Sequence, residues 1–274
     1  MTNNKNAPPA RTRTKAYPVR EVLGRICVWF DAEGRPPAWE LRCHKTIEQG
    51  LETGDVYYVC QKQIEFDMHC LEMHMNSADD YHFKTLHRPF PIPLVDRVIT
   101  GLHDITQEYG CGYEKPCALG GEKVTAWYLG SFAEKSRGLY FFDLEWLPVP
   151  FSRWASAKID TRVTFEGPTL IHFRISTPFG VIMQHMTLTP VEPFKQYVEC
   201  RWYATAGVPR FIAQFFASIA SSALEQDRIV WENKLFREHP LLVSGDGKFN
   251  TFNKWYNSFY SKSSRDAAKC SLDW

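Results

Sequence analysis

The chain has 274 residues, and its 32 lysines and arginines against 31 aspartates and glutamates leave a formal charge of +1. This balance excludes the broad basic field that holds nucleic acid, so we expect no nucleic-acid partner. The length suits one large α+β domain, and the 15% of aromatic residues supply apolar surface for a core or for a hydrophobic ligand.

Cysteine usage and hydropathy indicate an intracellular protein. Eight cysteines are spread from Cys27 to Cys270, too widely for a compact disulfide scaffold. Cys111 and Cys117 are separated by five residues and match neither a zinc motif nor a redox motif. The most apolar stretch, residues 210–224, is shorter than the ~20 residues that cross a bilayer and contains Arg210 and Gln214. Peripheral association with a membrane stays open.

The first third of the chain predicts a flexible lead-in, a strand and a helix. Residues 1–16 are polar, basic and proline-containing, which favours disorder. Residues 26–30 form a β-rich run before a Gly-Pro turn cluster. After Gln61 the strand pattern gives way to helical spacing, and we predict a helix over about 65–80 from a set of residues at i, i+4, i+7 and i+11: Ile64, Met68, Leu71 and Met75.

The remainder predicts an antiparallel sheet followed by a long helix. Between residues 123 and 204 several runs have strand character, namely 123–132, 137–147, 157–167, 169–177, 180–190 and 192–204. In one of them Ile171, Phe173 and Ile175 alternate with polar residues. From about residue 208 the spacing turns helical for about 28 residues, with one predicted apolar side: Phe211, Phe215, Ile219, Leu224 and Val230.

The stretch NSADDYHFKTLH, residues 76–87, concentrates polar side chains that suit a metal centre. Asn76, Asp79 and His82 are spaced i, i+3, i+6, so on a helix they wind along one side. His87 is different, because a five-residue step turns ~500° and leaves the two imidazoles ~140° apart on a regular helix. We therefore expect a break or bulge between His82 and His87 if both bind one ion.

Two imidazoles and one carboxylate form the facial triad that holds Fe(II) with open positions for oxygen. The carboxylate must come from a second element, and Asp227 lies within an otherwise apolar helical stretch. A buried Asp without a partner is costly. From the pattern alone, Asp227 can equally be an ordinary exposed residue beside Glu225 and Arg228, and either histidine can be a core residue.

Taken together, these residues resemble the Rieske-type non-haem iron oxygenases, whose catalytic domains carry N-x-x-D-x-x-H-x(4)-H and a carboxylate far downstream. The cholesterol 7-desaturases are the most similar branch, followed by bacterial steroid-ring hydroxylases. The resemblance covers nearly all of the chain after residue 16 and is carried by further stretches in the same order: 17–41, 166–180, 189–204, 225–234 and 252–261.

The resemblance implies His82, His87 and Asp227 as ligands of a mononuclear Fe(II). It implies Asp79 as the carboxylate that bridges electrons to the iron site from a Rieske [2Fe-2S] cluster, and Asn76 as a supporting residue. The implied fold is a helix-grip (START-like) domain, an antiparallel sheet around a long C-terminal helix with an elongated apolar cavity. The implied partners are a sterol, a reductase or ferredoxin that passes electrons from NAD(P)H, and further copies in a homotrimer.

The chain departs from the family in one respect. The family holds its cluster with CxH and CxxH, whereas here His44 follows Cys43 directly and Cys70 precedes His74 by four positions. No residue of this chain is therefore expected to bind [2Fe-2S]. We expect residues 1–16 to be a flexible lead-in, 17–45 a remnant of the Rieske domain with its linker, and 46–274 the catalytic domain.

Three functions follow from the resemblance. The first is the oxygenase component of a sterol 7-desaturase, which converts cholesterol to 7-dehydrocholesterol with O2. It would draw electrons from a Rieske domain supplied in trans or by a longer form of the chain. The second is a steroid-ring hydroxylase of the same family, and the third is a non-catalytic module that binds sterol or lipid.

Overall fold

The computed structural model describes a sheet-based α+β fold. The residues that it describes are 14–37, 41, 44–76, 79, 82, 86, 109–114, 124–129, 160–234, 241, 249, 253, 256–257 and 259–260. His87, Cys117 and the predicted strand over 137–147 lie outside these residues. No helix among those described is long and apolar enough to span a membrane.

The N-terminal part forms a small hairpin and a short helix. Strands β1 (Val19–Val22) and β2 (Arg25–Val28) pair antiparallel as a separate two-stranded sheet. Helix α1 (Lys45–Thr53) follows and ends at Gly54, whose positive φ of 83° provides the left-handed conformation that stops a helix. The strand predicted over 26–30 is found as β2 of this hairpin, one residue earlier at its start and ending at Val28.

The main sheet has seven strands, and every neighbouring pair is antiparallel. The strand order is β3-β9-β8-β7-β6-β5-β4. The strands are β3 (Val56–Phe66), β4 (Tyr109–Glu114), β5 (Val124–Leu129), β6 (Asp160–Glu166), β7 (Leu170–Thr177), β8 (Gly180–Glu192) and β9 (Lys195–Thr205). The predicted antiparallel sheet is confirmed, and Ile171 and Ile175 face the core as their alternation indicated.

The helix predicted over 65–80 is shorter than expected. Strand β3 continues to Phe66, because Ile64 and Phe66 alternate into the core against β9. Helix α2 then covers only Cys70–Asn76. Ile64 fits both a period of two and a helical spacing, which is why the sequence pattern placed the change too early.

Helix α3 (Arg210–Trp231) is the long helix predicted after the sheet, and it lies on the same face of the sheet as α2. Its predicted apolar side is wrong, since Phe211 is 71% exposed and Phe215 and Val230 are also exposed. The buried positions are instead Ala213, Phe216, Ala217, Asp227 and Trp231. The small alanines bring the helix close to the sheet, which a pattern of large residues does not reveal.

The core fills the space between the sheet and these two helices. Phe66, Phe165 and Trp202 are at most 1% exposed, and α2 adds Met73 and Met75. A second, smaller cluster lies against α1 and is formed by Ile47, Val56, Met183 and Tyr203. Since residues alternate along a strand, Met183 and Tyr203 lie on the opposite face from Ile182 and Trp202. The sheet therefore has two covered faces.

Candidate metal centre

The predicted motif begins at the end of α2 and continues beyond it. The helix stops at Asn76, and the Asp79 amide donates to the Asn76 carbonyl at 3.2 Å. The Asp79 carboxylate then accepts from the backbone N–H of His82 at 3.3 Å, the pattern of an N-terminal cap. Helix α2 therefore ends before Asp79, so the motif does not lie on one continuous helix. The break expected between His82 and His87 involves residues outside those described.

His82 is buried and its ring is oriented by the chain before it. Its exposure is 7%, and Nδ1 lies within hydrogen-bond distance of the Asp79 carbonyl. A carbonyl only accepts, so the neutral ring carries its proton on Nδ1 and has its lone pair on Nε2. A metal-binding imidazole usually has its second nitrogen bound to a carbonyl or carboxylate in this way.

Asp227 approaches the same motif from α3. It is 3% exposed, and its Oδ2 accepts a hydrogen bond from Asn76 Nδ2 at 3.1 Å. The pKa of Asp227 is raised to about 7, mainly by burial; the Asn76 hydrogen bond opposes the shift and the Asp79 carboxylate adds to it. The exposed alternative for Asp227 is therefore excluded, because this carboxylate lies inside the protein beside the motif.

A cavity of about 460 Å³ lies at this place. Asn76, Asp79 and His82 form part of its polar wall, together with the ion pair of Glu72 and Lys234. The apolar part comes from α2, α3 and the segments after each of them: Met75, Leu86, Val230, Trp231 and Phe249. The volume falls within the ~300–1,000 Å³ of small-molecule sites.

The donor set fits a mononuclear iron ion. Imidazole nitrogen and carboxylate oxygen are the ligands of the two-histidine, one-carboxylate iron sites. A divalent cation would offset both the burial of Asp227 and the nearby charge of Asp79. Two pairs of predicted site residues are in contact: Asn76 is hydrogen-bonded to Asp227, and Asp79 is hydrogen-bonded to His82. His87 lies outside the described residues, so its part in the set stays a prediction.

A second group of side chains that could hold a metal ion was not foreseen from the sequence. His44, His172 and His185 offer ligand atoms that all lie within 4.8 Å of one another. Only the pairing of β7 with β8 and the position of α1 bring them together, and no spacing in the sequence signals this. His185 had no assigned role, and it now belongs to this cluster.

The remaining histidines near the motif have local contacts. His74 is fully buried, places Nδ1 3.0 Å from the Cys70 carbonyl and packs against Phe165 and Tyr256. His69 Nδ1 accepts from the Leu71 amide at 3.1 Å. These contacts give both rings a packing role.

The chain is similar in sequence to steroid-modifying oxygenases. Residues 155–260 match the family model described as the 3-ketosteroid 9alpha-hydroxylase C-terminal domain. The chain is 26% identical over 256 residues to cholesterol 7-desaturase nvd 1 of Ciona intestinalis, covering 93% of this chain and 51% of that protein. With cholesterol 7-desaturase nvd of Bombyx mori it shares 28% over 270 residues, covering 97% and 54%.

A bacterial relative has a similar level of identity. The probable 3-ketosteroid-9-alpha-monooxygenase oxygenase component of Rhodococcus rhodochrous is 27% identical over 261 residues, covering 92% of this chain and 58% of that protein. The chain therefore spans about half the length of the curated relatives that it matches.

Solved structures share the fold at low sequence identity. NdmB of Pseudomonas putida CBB5 superposes with a TM-score of 0.56 at 13% identity, covering 96% of this chain and 64% of that chain. Dicamba monooxygenase bound to 3,6-dichlorosalicylic acid superposes with a TM-score of 0.51 at 14% identity, covering 92% and 72%. In sequence and in fold, the chain is thus similar to the catalytic domains of the Rieske-type non-haem iron oxygenases, a family of oxidoreductases.

Proposed function

We propose that the chain is the iron-containing catalytic domain of a sterol oxygenase, and that its reaction is the 7-desaturation of cholesterol. Several relatives that align over more than nine-tenths of the chain are named for that reaction. The single observation that carries the iron assignment is the buried Asp227 carboxylate held by Asn76 beside the motif that contains His82.

His82, His87 and Asp227 would hold Fe(II), and bound iron supplies the activation of O2. Asn76 fixes the Asp227 carboxylate through its amide. The Asp79 carbonyl fixes the His82 tautomer, so that Nε2 is the ligand atom. The Asp79 side chain, which also caps the segment that begins at His82, is proposed as the carboxylate that connects the site to the electron donor.

The cavity beside these residues would bind the sterol. Its wall combines Met75, Leu86, Trp231 and Phe249 with the polar group of Asn76, Asp79 and His82. Apolar surface of this kind gains free energy by removing the sterol rings from water. The same surface excludes bulk water from the reacting carbon.

Electrons would come from outside the described residues. The proposed donor is a Rieske [2Fe-2S] domain, in trans or in a longer chain, that is reduced from NAD(P)H by a reductase or ferredoxin. In a homotrimer the cluster of one subunit would serve the iron of its neighbour, and Asp79 would be the receiving residue.

A steroid-ring hydroxylase is the second candidate, because the family model over residues 155–260 is named for a ketosteroid hydroxylase. A passive sterol-binding module is less well supported. Such a module gains nothing from a buried Asp227 next to a second carboxylate, since burying a charge costs free energy.

Iron binding provides the first test. Wild-type protein and His82→Ala are titrated with Fe(II) without oxygen, and bound metal is measured after equilibrium dialysis. We expect His82→Ala and Asp227→Asn each to lose one equivalent relative to wild type. His69→Ala, which replaces a histidine outside the ligand set, should keep the wild-type stoichiometry. Equal binding by wild type and His82→Ala would refute the iron centre.

Product analysis separates the two reactions. The protein is combined with a Rieske donor domain, reductase, NAD(P)H and O2, and given cholesterol or a 3-ketosteroid in parallel. We expect 7-dehydrocholesterol by mass spectrometry, with no product from Asp227→Asn. A hydroxylated ketosteroid without 7-dehydrocholesterol would favour the second candidate. Turnover without any Rieske donor would contradict the proposed electron route.

A further inference from the structure

The face of the sheet that points away from the core carries a continuous row of polar side chains. Thr164, His172, His185, Arg201 and Gln61 occupy directly paired positions on β6, β7, β8, β9 and β3. Their neighbours along the strands, such as Phe165, Ile171 and Met186, belong to the core on the opposite face. Side chains in paired positions lie ~4.5–5.5 Å apart at Cβ, so the row is a contiguous strip.

Three imidazoles meet on this strip. His172 and His185 have ring centroids 4.3 Å apart, and His44 lies 4.2 Å from His172 and 4.9 Å from His185. His44 is the residue immediately before α1, at its N-cap position. One potential ligand atom of each ring lies within 4.8 Å of the others. Three nitrogens on one Zn²⁺ at ~2.1 Å are about 3.4 Å apart, a distance that side-chain rotation reaches.

A buried carboxylate orients His172. Glu166 is fully buried, and its Oε2 lies 3.1 Å from His172 Nε2. The carboxylate accepts, so the neutral ring carries its proton on Nε2 and has its lone pair on Nδ1. A carboxylate behind a histidine in this way is a common feature of zinc sites, where it fixes the tautomer and increases the basicity of the ligand.

His185 has an unsatisfied nitrogen in the same cluster. The residue is fully buried, and its Nε2 has no hydrogen-bond partner among the described residues. Burial, the two neighbouring histidines and the nearby arginines lower the pKa of His185 well below its usual value. Its ring is therefore neutral at physiological pH, as metal binding requires.

Charge around the cluster is balanced before any ion binds. Arg25 contacts Glu199 at 2.6 Å, and Arg201 contacts the same carboxylate at 2.8 Å. With Glu166, the two carboxylates match the two guanidinium groups. Arg25 also donates to His185 Nδ1, so the neutral ring carries its proton on Nε2. A metal ion at Nε2 requires the other neutral tautomer, with the proton on Nδ1, so the Arg25 contact with Nδ1 is given up when the ion binds, while Arg25 keeps its hydrogen bonds to Glu199 and to the His185 carbonyl.

We propose that His44, His172 and His185 form a binding site for one transition-metal ion of the Zn²⁺ class, with Glu166 as the residue that positions His172. The site is separate from the candidate iron centre, because the sheet lies between them. An ion there joins the start of α1 to β7 and β8. Its role is to fasten the N-terminal segment onto the outer face of the sheet.

Cobalt titration of wild type and variants tests the proposal. Co²⁺ is added to wild type, His44→Gln, His82→Ala and the double variant, and binding is followed by dialysis and by the visible d–d bands. We expect two equivalents for wild type, one for each single variant and none for the double variant. His69→Gln is the matched control and should retain two. Circular dichroism confirms that each variant is folded.

The outcomes separate this site from the iron centre. If His44→Gln and His172→Gln both bind as much Co²⁺ as wild type, the proposed histidine site is wrong. If His82→Ala alone then loses an equivalent, the candidate iron centre is still supported. His185→Gln should lose the same equivalent of Co²⁺ as His44→Gln. Unchanged Co²⁺ binding by His185→Gln would exclude His185 as a ligand.

Discussion

Burial of the His74 imidazole makes the stability of the protein depend on pH. It is fully buried, packs against Phe165 and Tyr256, and places Nδ1 3.0 Å from the Cys70 carbonyl. Burial lowers the pKa of His74 to about 4. The unfolded chain binds a proton to this ring near pH 6.5 and the folded protein does not.

This difference predicts a pH-dependent stability. Between pH 6.5 and 4 the unfolded state binds more protons, so the free energy of unfolding falls as the pH falls, by up to about 3 kcal/mol from His74 alone. Above pH 6.5 the contribution is constant. His74→Gln can keep the contact with the Cys70 carbonyl and should lose this part of the slope in urea denaturation at pH 5 to 7. An unchanged slope would show that His74 is protonated in the folded protein.

At the scale of residues, the sequence predicts the candidate iron centre but gives no sign of the histidine cluster. Asn76, Asp79 and His82 lie close together in the chain, so their spacing was visible, whereas Asp227 stands among Glu225, Gln226 and Arg228 and was assigned through the resemblance to the family. His44 and His172 have no such signal. They meet because strand register sets His172 beside His185 and because α1 begins above them. Register depends on long-range pairing that a local pattern does not encode.

At the scale of elements, α3 illustrates the limit of periodicity. Large apolar residues occur on more than one side of this helix, so the expected side and the buried side differ. Phe216 is 6% exposed and lies in the core cluster, whereas Phe211 is 71% exposed. Ala213 and Ala217 mark the buried side more accurately, because small residues allow close approach to the sheet.

The two phenylalanines should differ sharply on substitution. Phe216→Ala removes a buried ring and leaves a cavity, so we expect the free energy of unfolding to fall by about 3 kcal/mol or more. Phe211→Ala should change it by less than about 0.5 kcal/mol, since the ring is already in water. Urea denaturation of both variants measures the difference. Similar losses would mean that the sequence-based side of α3 is buried after all.

The strands were easier to predict than the helices. In β7 and β8 the alternation matches a sheet with a core on one face, and the turn at Gly180 separates them. β3 was cut short in the prediction because Ile64 fits two periods at once. Packing against β9 decides the question in favour of the strand. Tertiary contact overrides local propensity at such positions.

At the scale of the whole molecule, the main sheet separates two sets of chemical groups. The candidate iron centre lies with α2 and α3 on one face, and the histidine cluster lies with the hairpin and α1 on the other. Arg25 connects the hairpin to Glu199 on β9, so the N-terminal segment is attached by a buried ion pair. The histidine cluster reinforces the same junction.

The hairpin presents its other face to solvent. Val19, Ile26, Val28 and Phe30 are 65%, 78%, 55% and 71% exposed, and Val19 pairs with Val28 across the strands. Tyr17 stacks on Phe30 at a centroid distance of 6.2 Å. Contiguous exposed apolar patches favour association between molecules, so we expect this one to be attractive.

Removing the patch should weaken attraction between molecules. In the double variant Ile26→Thr with Val28→Thr, the side chains keep their β-branched shape and gain a hydroxyl group, so the strand is preserved and the surface becomes polar. We expect a more positive second virial coefficient by static light scattering, whatever the oligomeric state. Val191→Thr, at an exposed valine on β8, is the matched control and should have a smaller effect. An equal or larger effect of the control would mean that the hairpin does not mediate the attraction.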